Sequence, residues 1–320
     1  MKTADILERI AGLRVLVLGD VALDRWCRYD PAIGEPSRET GINRIAVVST
    51  ETTPGAAGTV ASNAAALGAR VTLLSAVGLD GHGFELRKAL AVRGISTELI
   101  ESPDLATFTY TKLINIETGR EDQPRIDFVN AQPPPAQVLS AMVARFHELA
   151  ANADVILVSD QVETREGGLV GADLREALRQ AHSLVWVDSR ARAEQFRGVI
   201  IKGNRDEMEA ASVRALGHFN LQALREHTSA PLLIMTAGDA DTVLVTSAES
   251  ARVAPRRIAN PVDICGAGDS FSAGAALALR VTGDPIAAAQ FGHLVASITV
   301  MKQGTGTASR AELLAARMLD

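Results

Sequence analysis

A glycine-rich turn that opens a helix carries the strongest candidate for acid–base chemistry in this sequence, the carboxylate of Asp269. In "CGAGDSF", Gly266, Ala267 and Gly268 predict a tight turn whose backbone N–H groups can point at one anion. The helix that follows adds the positive end of its dipole. Such a pocket suits the charge that develops on a phosphoryl group in transfer, with Asp269 accepting the proton of an attacking hydroxyl. A plain capped helix start explains the same residues equally well.

Two further carboxylates, Asp20 and Asp24, follow the first predicted strand in "VLVLGDVALDRW". Open α/β sheets bind ligands just beyond the carboxyl ends of their strands. A carboxylate there can accept hydrogen bonds from hydroxyls, so the pair predicts recognition of a polyol. A turn or cap role is the competing explanation for Asp20. The sequence contains no GxxxxGK[ST], and GxGxxG does not follow the first strand. A phosphate is therefore bound neither by a P-loop nor by a dinucleotide-binding glycine motif.

Composition excludes several classes of partner. Apolar residues make up 47% of the 320 residues and charged residues 22%, which is typical of a globular protein. The net charge of −6 and the aromatic content of 4% argue against nucleic-acid binding. No apolar run approaches the roughly 20 residues that span a bilayer, and "MKTADILERIAGLRVLVLGD" lacks a signal-peptide core. Two distant cysteines are too few for a disulfide framework or a zinc site. We therefore expect a cytoplasmic protein with small-molecule partners, without nucleic acid or membrane.

Short apolar runs alternate with helical patterns along most of the chain. This alternation predicts a mostly parallel sheet that is buried on both faces. The predicted strands are 14–19, 70–77, 154–159, 184–188, 198–202, 231–236 and 241–246. The predicted helices are 56–68, 82–93, 136–150, 167–181, 206–215, 219–227, 269–281, 285–302 and 309–318.

Two segments, 41–53 and 107–130, break this alternation. They are rich in β-branched residues that alternate with polar ones, as in antiparallel strands with one solvated face. We interpret them as a small sheet that projects from the main one. Two ordinary surface hairpins are the alternative, and periodicity alone does not separate the two.

The order of these pieces resembles the ribokinase, or PfkB, family of carbohydrate kinases. After "GDVALD" come "PGAAGTVASNAAALGA", "VGLDGHG", "NRDE" where the family has N-x-x-E, "TAGD" and "DICGAGDSFSAG". The resemblance covers nearly the whole chain, and GAGD with the upstream N-x-x-E is its most specific part. "GDVALDRW" near the start and "KQGTGTAS" near the end are most similar to bacterial heptose-7-phosphate kinases.

The resemblance implies a fold and a set of roles. The fold is a ribokinase-like three-layer α/β/α sandwich, a single domain over 1–320, with a small β-sheet lid formed by about 31–53 and 107–130. ATP and Mg²⁺ are the implied cofactors, and Asp269 is the implied base beside the amides of Gly266, Ala267 and Gly268. Asn204 and Glu207 would hold Mg²⁺ through water, although a helix cap and its first-turn acid explain them too. The nucleotide would be lined by Thr236, Gly238 and His293, and the sugar by Asp20, Asp24, Gly55, Thr59, Asn63, Lys112 and Arg125.

Lys112 and Arg125 lie on the expected lid, where a phosphate on the substrate could be met. Solvated strand positions are the alternative for either residue. The chain also departs from the family pattern. Thr59 stands where an asparagine normally contacts the sugar, with Asn63 one helical turn further on, and Ile264 and Cys265 replace two hydroxyl residues of the anion turn. The first lid segment reads "PSRETGINRIAVV" where heptose kinases usually have "PEAPVPVV", and His293 stands at a position that is often asparagine near the adenine.

These observations predict an ATP-dependent kinase that phosphorylates a hydroxyl of a sugar or sugar phosphate, with heptose 7-phosphate as a candidate. A hexose, pentose or nucleoside acceptor is the first alternative, and for a nucleoside the lid offers only Phe108, Tyr110 and Phe128. A catalytically weak relative that senses sugar or nucleotide is the second; the departures at the sugar site and the anion turn favour it, and the intact Asp269 opposes it. A homodimer through the lids and a requirement for a monovalent cation also follow from the resemblance as open expectations.

Overall fold

The computed structural model describes residues 1–163 and 168–316. Thirteen strands lie in these residues and form a nine-stranded main sheet and a four-stranded small sheet. In chain order the strands are β1 (Arg14–Gly19), β2 (Val21–Tyr29), β3 (Val47–Ala56), β4 (Arg70–Gly78), β5 (Ser96–Ser102), β6 (Thr109–Asn115), β7 (Ile126–Phe128), β8 (Val155–Asp160), β9 (Leu184–Ser189), β10 (Ile200–Asn204), β11 (Leu233–Ala237), β12 (Ala240–Val245) and β13 (Ser250–Val253).

Ten α-helices accompany them in the same residues. They are α1 (Thr3–Ile10), α2 (Ala57–Ala66), α3 (Gly81–Val92), α4 (Ala136–Ala150), α5 (Ala172–Arg179), α6 (Arg205–Leu216), α7 (Leu221–Thr228), α8 (Ala267–Thr282), α9 (Pro285–Thr299) and α10 (Arg310–Ala316). The predicted helices 167–181 and 309–318 correspond to α5 and α10, and their residues 167, 317 and 318 lie outside the described part of the chain. None of the helices described is long and apolar enough to cross a membrane.

The main sheet has the order β13-β12-β11-β10-β9-β8-β1-β4-β5. Its strands pair in parallel except at one edge, where β11–β12 and β12–β13 are antiparallel. Apolar side chains fill both of its faces. One core includes Ile6 of α1 and Phe291 of α9, and the other includes Met142 and Phe146 of α4. Because the central strands β1, β8 and β9 are short apolar runs, this part of the sheet must be covered by helices on both sides. The predicted three-layer α/β/α architecture is therefore confirmed.

The small sheet has the order β3-β2-β6-β7. Its strands β3, β6 and β7 fall in or next to the segments 41–53 and 107–130, so a projecting sheet is found there and not two separate hairpins. Its central strand β2 was not predicted, and β2 pairs with β6 in parallel. Only Asp20 separates β2 from β1, so the first strand of the main sheet continues almost directly into the small sheet. This connection places the small sheet next to the carboxyl end of β1.

Candidate active site

The turn before α8 is built for close approach to its backbone. Gly266 has a left-handed φ of 73° at the start of the helix, a conformation that suits glycine. A Cβ at Gly266 would lie 3.1 Å from Cγ2 of Thr59 and 3.3 Å from Cγ2 of Thr305. A Cβ at Gly268 would lie 3.1 Å from Nζ of Lys202. Larger residues at either position would crowd the turn, whose amides sit at the positive end of a 16-residue helix.

Asp269 lies in the first turn of α8, is half-buried and lines the main cleft. Burial raises the pKa of its carboxyl and the negative charge of Asp188 adds to the rise, while the positive charges of Lys202 and Arg190 oppose it, and the resulting pKa is about 7. The charge of Asp24 adds a smaller increase. A carboxylate with a pKa near neutrality is well matched to accepting a proton from a hydroxyl at neutral pH. The predicted base therefore has the surroundings that this role requires.

An ion pair lies directly beneath the turn. Nζ of Lys202 is 2.7 Å from Oδ2 of Asp188, and both side chains are almost fully buried. The hydroxyl of Ser272, on α8, donates to the same carboxylate oxygen at 3.0 Å. Asp188 and Lys202 lie near the carboxyl ends of the adjacent strands β9 and β10. The pair thus ties two strands of the main sheet to the helix that carries Asp269.

Asn204 and Glu207 form a reciprocal cap at the start of α6. The backbone N–H of Asn204 donates to Oε2 of Glu207 at 2.7 Å, and the backbone N–H of Glu207 donates to Oδ1 of Asn204 at 2.9 Å. The capping role that competed with the metal role is therefore present in the structure. Burial raises the pKa of Glu207, and the nearby Asp188 adds to the rise.

The same two residues also line the cleft, where they offer oxygen atoms of the kind that Mg²⁺ prefers. In residues 1–163 and 168–316, no cluster of three or more histidine, cysteine, aspartate or glutamate side chains is placed to hold a metal. A magnesium ion usually keeps several waters and binds through one or two carboxylates and the phosphates of a nucleotide. Glu207 and Asn204 fit that mode of binding through water.

The main cleft encloses about 590 Å³ and extends from the turn to the edge of the main sheet. Thr236, Gly238 and His293, all predicted at the nucleotide, lie on its walls. Nε2 of His293 is 2.9 Å from the hydroxyl of Thr242, and burial lowers the pKa of His293 to about 4, so the ring is neutral at physiological pH. The stretch from Pro255 to Ile258 also lines the cleft. These walls are large enough for a nucleotide.

The opposite side of the reaction centre belongs to the small sheet. Asp24 on β2 is buried against Gly55, where a Cβ would lie only 2.7 Å from its Oδ2. Burial raises the pKa of Asp24 to about 6, and the positive charges of Lys112 and Arg125 oppose the rise. Nζ of Lys112 lies 4.2 Å from the centre of the Trp26 ring. The structure therefore brings together Asp24, Gly55, Lys112 and Arg125 as predicted neighbours.

Three other residues predicted at the sugar make hydrogen bonds to the backbone inside the fold. The carboxylate of Asp20 accepts backbone N–H groups from residues 161, 162 and 169, at 2.8, 3.1 and 2.9 Å. The Thr59 hydroxyl donates to the carbonyl of Pro54 at 3.1 Å, and the amide of Asn63 donates to the carbonyl of Thr59 at 3.1 Å. All three side chains are buried. These bonds hold the backbone, which for Asp20 agrees with the turn role. Among the described residues, Oδ1 of Asn63 is buried without a hydrogen-bond partner. Contact of the three residues with a sugar stays a prediction.

The two departures in the anion turn have different surroundings. Ile264 is 71% exposed and lines the cleft, so its side chain is open to a ligand. The backbone N–H of Cys265 donates to Oδ1 of Asp263 at 2.9 Å, so the shape of the turn is fixed by a side chain that the family pattern shares. Burial raises the pKa of the Cys265 thiol to about 11, which keeps it neutral. The loss of two hydroxyls leaves the turn itself intact.

The sequence interpretation missed Asp188, Arg190, Lys202 and Gln161, which all line the cleft. A signal was available for two of them. Asp188 and Lys202 are the last residues of the predicted strands 184–188 and 198–202, and polar residues at the carboxyl ends of parallel strands are candidates for ligand binding. Their pairing was not accessible, because the order of strands in the sheet was not known.

Comparisons with known proteins agree with this geometry. The pattern of the "pfkB family carbohydrate kinase" matches residues 14–312. The chain is 33% identical over 318 residues to the D-beta-D-heptose 7-phosphate kinase of Bordetella bronchiseptica, covering 96% of each protein. It is also 33% identical over 327 residues to the bifunctional protein HldE of Caulobacter vibrioides. That match covers 98% of this chain but only 65% of the relative's length.

Solved structures show the same fold. The ribokinase of Thermotoga maritima superposes with a TM-score of 0.70 at 20% identity, over 95% of this chain and 99% of that chain. The phosphofructokinase-2 of Escherichia coli, in complex with potassium, superposes with a TM-score of 0.73 at 20% identity, over 95% and 97% of the two chains.

Proposed function

The chain belongs to the pfkB family of carbohydrate kinases, and on that premise we propose that it transfers the γ-phosphoryl group of ATP to a hydroxyl of a sugar phosphate. The observation that carries the proposal is the position of Asp269 at the edge of the anion turn, in surroundings that hold its pKa at about 7. Transfer of a phosphoryl group to a hydroxyl requires a general base and an anion site, and here one helix turn carries both.

In the proposed mechanism Asp269 accepts the proton of the acceptor hydroxyl as that oxygen attacks the γ-phosphorus, and the bond from the γ-phosphorus to the β–γ bridging oxygen breaks so that ADP leaves. The backbone amides of Gly266, Ala267 and Gly268 donate to the equatorial oxygens of the phosphoryl group, where negative charge collects in the transition state. Glu207 and Asn204 would hold Mg²⁺ through water, and the ion when bound supplies charge neutralisation on the phosphates. Thr236, Gly238 and His293 hold the nucleotide on the other side of the cleft.

We place the acceptor under the small sheet, which we propose acts as a lid. Asp24 binds sugar hydroxyls, because a buried carboxylate can accept two hydrogen bonds and Gly55 leaves room beside it. Lys112 and Arg125 supply positive charge close to Asp24, where a phosphate on the acceptor could be met. Closure of the small sheet over the cleft would exclude water, which otherwise competes with the hydroxyl as the acceptor. Residues 31–53 and 107–130 form this lid within one kinase domain.

Heptose 7-phosphate is the acceptor that we propose first. The identity of 33% to a D-beta-D-heptose 7-phosphate kinase, over 96% of both proteins, supports this choice. Lys112 on the small sheet supports a phosphorylated acceptor in general, and Arg125, which Asp127 holds through two hydrogen bonds of 2.7 Å, adds a second cation near Asp24. A hexose or pentose phosphate is the nearest alternative. We place the reaction in the cytoplasm, where ATP is available.

The test is ADP release with Mg·ATP over a panel of heptose 7-phosphate, hexose and pentose phosphates, their unphosphorylated sugars and nucleosides. We expect selective turnover of a phosphorylated sugar, with heptose 7-phosphate the best acceptor. Preference for an unphosphorylated sugar would discard the acceptor assignment and keep the kinase. If compounds of the panel bind but none is turned over, the assignment as a kinase is contradicted and a sensor of sugar or nucleotide is favoured. Omission of Mg²⁺ should abolish turnover, and exchange of K⁺ for a larger organic cation tests the monovalent-cation requirement.

We also propose a homodimer formed through the small sheets. The edge strand β3 and the residues before it expose apolar side chains, including Ile42 at 71%, Val47 at 46% and Val48 at 52%. An open strand edge with apolar side chains favours pairing with a second chain. Sedimentation analysis of the wild type and of a Val48→Lys variant tests this, because a charge at the edge should yield monomers. A wild-type monomer at micromolar concentration would contradict the dimer.

A further inference from the structure

The ion pair between Asp188 and Lys202 has no part in the mechanism given above, although it lies inside the reaction centre. The side chain of Lys202 is 5% exposed and that of Asp188 is 7% exposed, and their charged atoms are 2.7 Å apart. Burying two charges costs free energy, and an apolar pair of similar volume often gives an equally stable or more stable protein. Stability alone therefore gives no reason to place this pair here.

The pair is positioned toward the atoms that react. Nζ of Lys202 lies 3.1 Å from the place where a Cβ on Gly268 would be. Asp188 accepts the hydroxyl of Ser272 at 3.0 Å, and Ser272 follows Asp269 by three positions on the same helix, so the two are neighbours on the helix surface. Both members of the pair also line the cleft. A fixed positive charge therefore lies under the anion turn, and its counter-ion is joined to the helix of the base.

The two charges act on Asp269 in opposite directions. Asp188 raises the pKa of Asp269 and Lys202 lowers it. The other charged groups that act on this carboxyl are Arg190, just after β9, and Asp24, on β2 of the small sheet. Cys265, in the loop before α8, is a neutral thiol.

We propose that Asp188 and Lys202 form a positioning unit for phosphoryl transfer: Lys202 holds a fixed positive charge beneath the anion turn, and Asp188 and Ser272 keep it aligned with Asp269. This inference rests on the proposed function and adds to it a source of charge that the backbone amides do not provide. A charge of this kind needs no reorganisation when the transition state forms.

The test compares Lys202→Met, Asp188→Asn and the double variant by the pH profile of kcat/KM. The low-pH side of this profile, its acid limb, reports the ionisation of Asp269. Lys202→Met removes a positive charge and should move the acid limb up by about one pH unit, whereas Asp188→Asn removes a negative charge and should move it down by about one unit. A purely structural role would lower the rate in both variants and leave the limb where it is in the wild type. That outcome would overturn the proposal.

Each single variant leaves a buried charge unpaired and is at risk of unfolding. The double variant removes both charges and keeps the proposal testable. We expect it to fold, to return the acid limb close to the wild-type position and to lose at least about tenfold in kcat, because the fixed charge is gone. Wild-type kcat in a folded double variant contradicts the proposal. Arg192→Met is the matched control, since the equally buried pair of Arg192 and Asp160, 2.5 Å apart, lies outside the cleft and should not move the limb.

A second readout separates this inference from the kinase assignment. In protein labelled with ¹³C-aspartate, the Asp269 carboxyl signal is assigned by its loss in Asp269→Asn, and its titration needs no acceptor. Opposite displacements of its midpoint in Lys202→Met and Asp188→Asn support the electrostatic unit even if no acceptor on the panel is turned over. An unmoved midpoint in both variants overturns the unit even if the enzyme proves to be a sugar-phosphate kinase.

Discussion

Two carboxylates meet at the reaction centre, Asp269 from the main sheet's helix layer and Asp24 from the small sheet, and their surroundings differ. Burial raises both pKa values, to about 7 and about 6. Asp269 is surrounded by a glycine turn and a buried ion pair, all fixed by strands and a helix start. Asp24 faces the positive charges of Lys112 and Arg125, whose side chains are partly or largely exposed.

The difference separates chemistry from recognition. Groups around Asp269 are backbone amides and buried charges that keep one geometry, as a general base and an anion site require. Groups around Asp24 are long side chains on a sheet joined to the main one through Asp20, so they can change with the acceptor. We therefore expect changes beside Asp269 to lower kcat and changes beside Asp24 to raise KM for the acceptor. The following substitutions test that division.

Among substitutions of the residues that surround the two carboxylates, Gly266→Ala should have the largest effect on kcat. A Cβ at φ 73° is strained, and here it also crowds Thr59 and Thr305 and displaces the anion turn. We expect kcat to fall about 10²-fold, the usual cost of one oxyanion donor. Gly283→Ala is the matched control at the other end of α8, since its φ is 68° and nothing lies within 4 Å of the added Cβ. It should lose about 1 kcal/mol of stability from strain and keep its kcat. Equal kcat values in the two variants would contradict the assigned anion turn.

Asp24→Asn should act on recognition. A carboxylate that accepts hydroxyl hydrogen bonds contributes about 1.5–3 kcal/mol, so kcat/KM for the acceptor should fall about 10–100-fold while the affinity for ATP stays the same. The pKa of about 6 adds a pH signature. In the wild type, KM for the acceptor should rise as the pH falls through about 6, because the carboxylate becomes protonated, and the variant should lack this rise. Steady-state kinetics from pH 5 to pH 8 measure both effects. A lower kcat with unchanged KM would break the proposed division.

Lys112→Met should have a smaller and more selective effect. Nζ of Lys112 lies 4.2 Å from the centre of the Trp26 ring, and methionine keeps an apolar stem of similar length without the charge. We expect KM to rise a few-fold for a phosphorylated acceptor, about the contribution of one partly exposed charge, and to stay the same for the unphosphorylated sugar. Lys88→Met, at an exposed position of α3, is the control. An equal rise of KM for the phosphorylated and the unphosphorylated acceptor would show that Lys112 does not recognise the phosphate.

Asp269→Asn should stabilise the fold slightly. A carboxyl whose pKa is raised on folding contributes stability below its unfolded pKa, and that contribution is lost as the pH rises through the folded value, here about 7. At pH 8 the charged Asp269 therefore costs stability, and the amide should raise the free energy of unfolding by about 1 kcal/mol. Chemical denaturation at pH 8 and pH 5 measures the difference, which should shrink at the lower pH. A variant less stable than the wild type at pH 8 would contradict the origin that we give for the raised pKa.

Sequence alone was sufficient where local chemistry decides structure. The runs 15–18 and 184–187 are apolar along their length, and they became part of the largely buried strands β1 and β9. The glycines before Asp269 predicted a turn and a helix start because their freedom at positive φ is a local property. "NRDE" predicted both the cap and the oxygen pair at the cleft, and the structure shows that a capping box can also present ligand atoms.

Sequence was insufficient where distant segments decide structure. Strand β2 pairs with β3 and β6, so its residues become a strand through partners that no local pattern reveals. Thr59 and Asn63 were predicted at the sugar from a motif position, and no local pattern indicated that each also bonds to the backbone inside the fold. Asp188 and Lys202 meet only because β9 and β10 are adjacent in the sheet.

The most direct measurement of the central claim is the kcat of Asp269→Asn on the best acceptor of the panel, beside that of Asp284→Asn. Asp284 caps α9 through the N–H groups of Ile286 and Ala287 and provides a matched change at another helix start. Loss of a positioned general base should lower kcat about 10²–10⁴-fold, with ATP and acceptor affinities kept, and the control should turn over at the wild-type rate. Near-normal kcat in Asp269→Asn would contradict the account, because the anion turn would then act without the base that we assign to it.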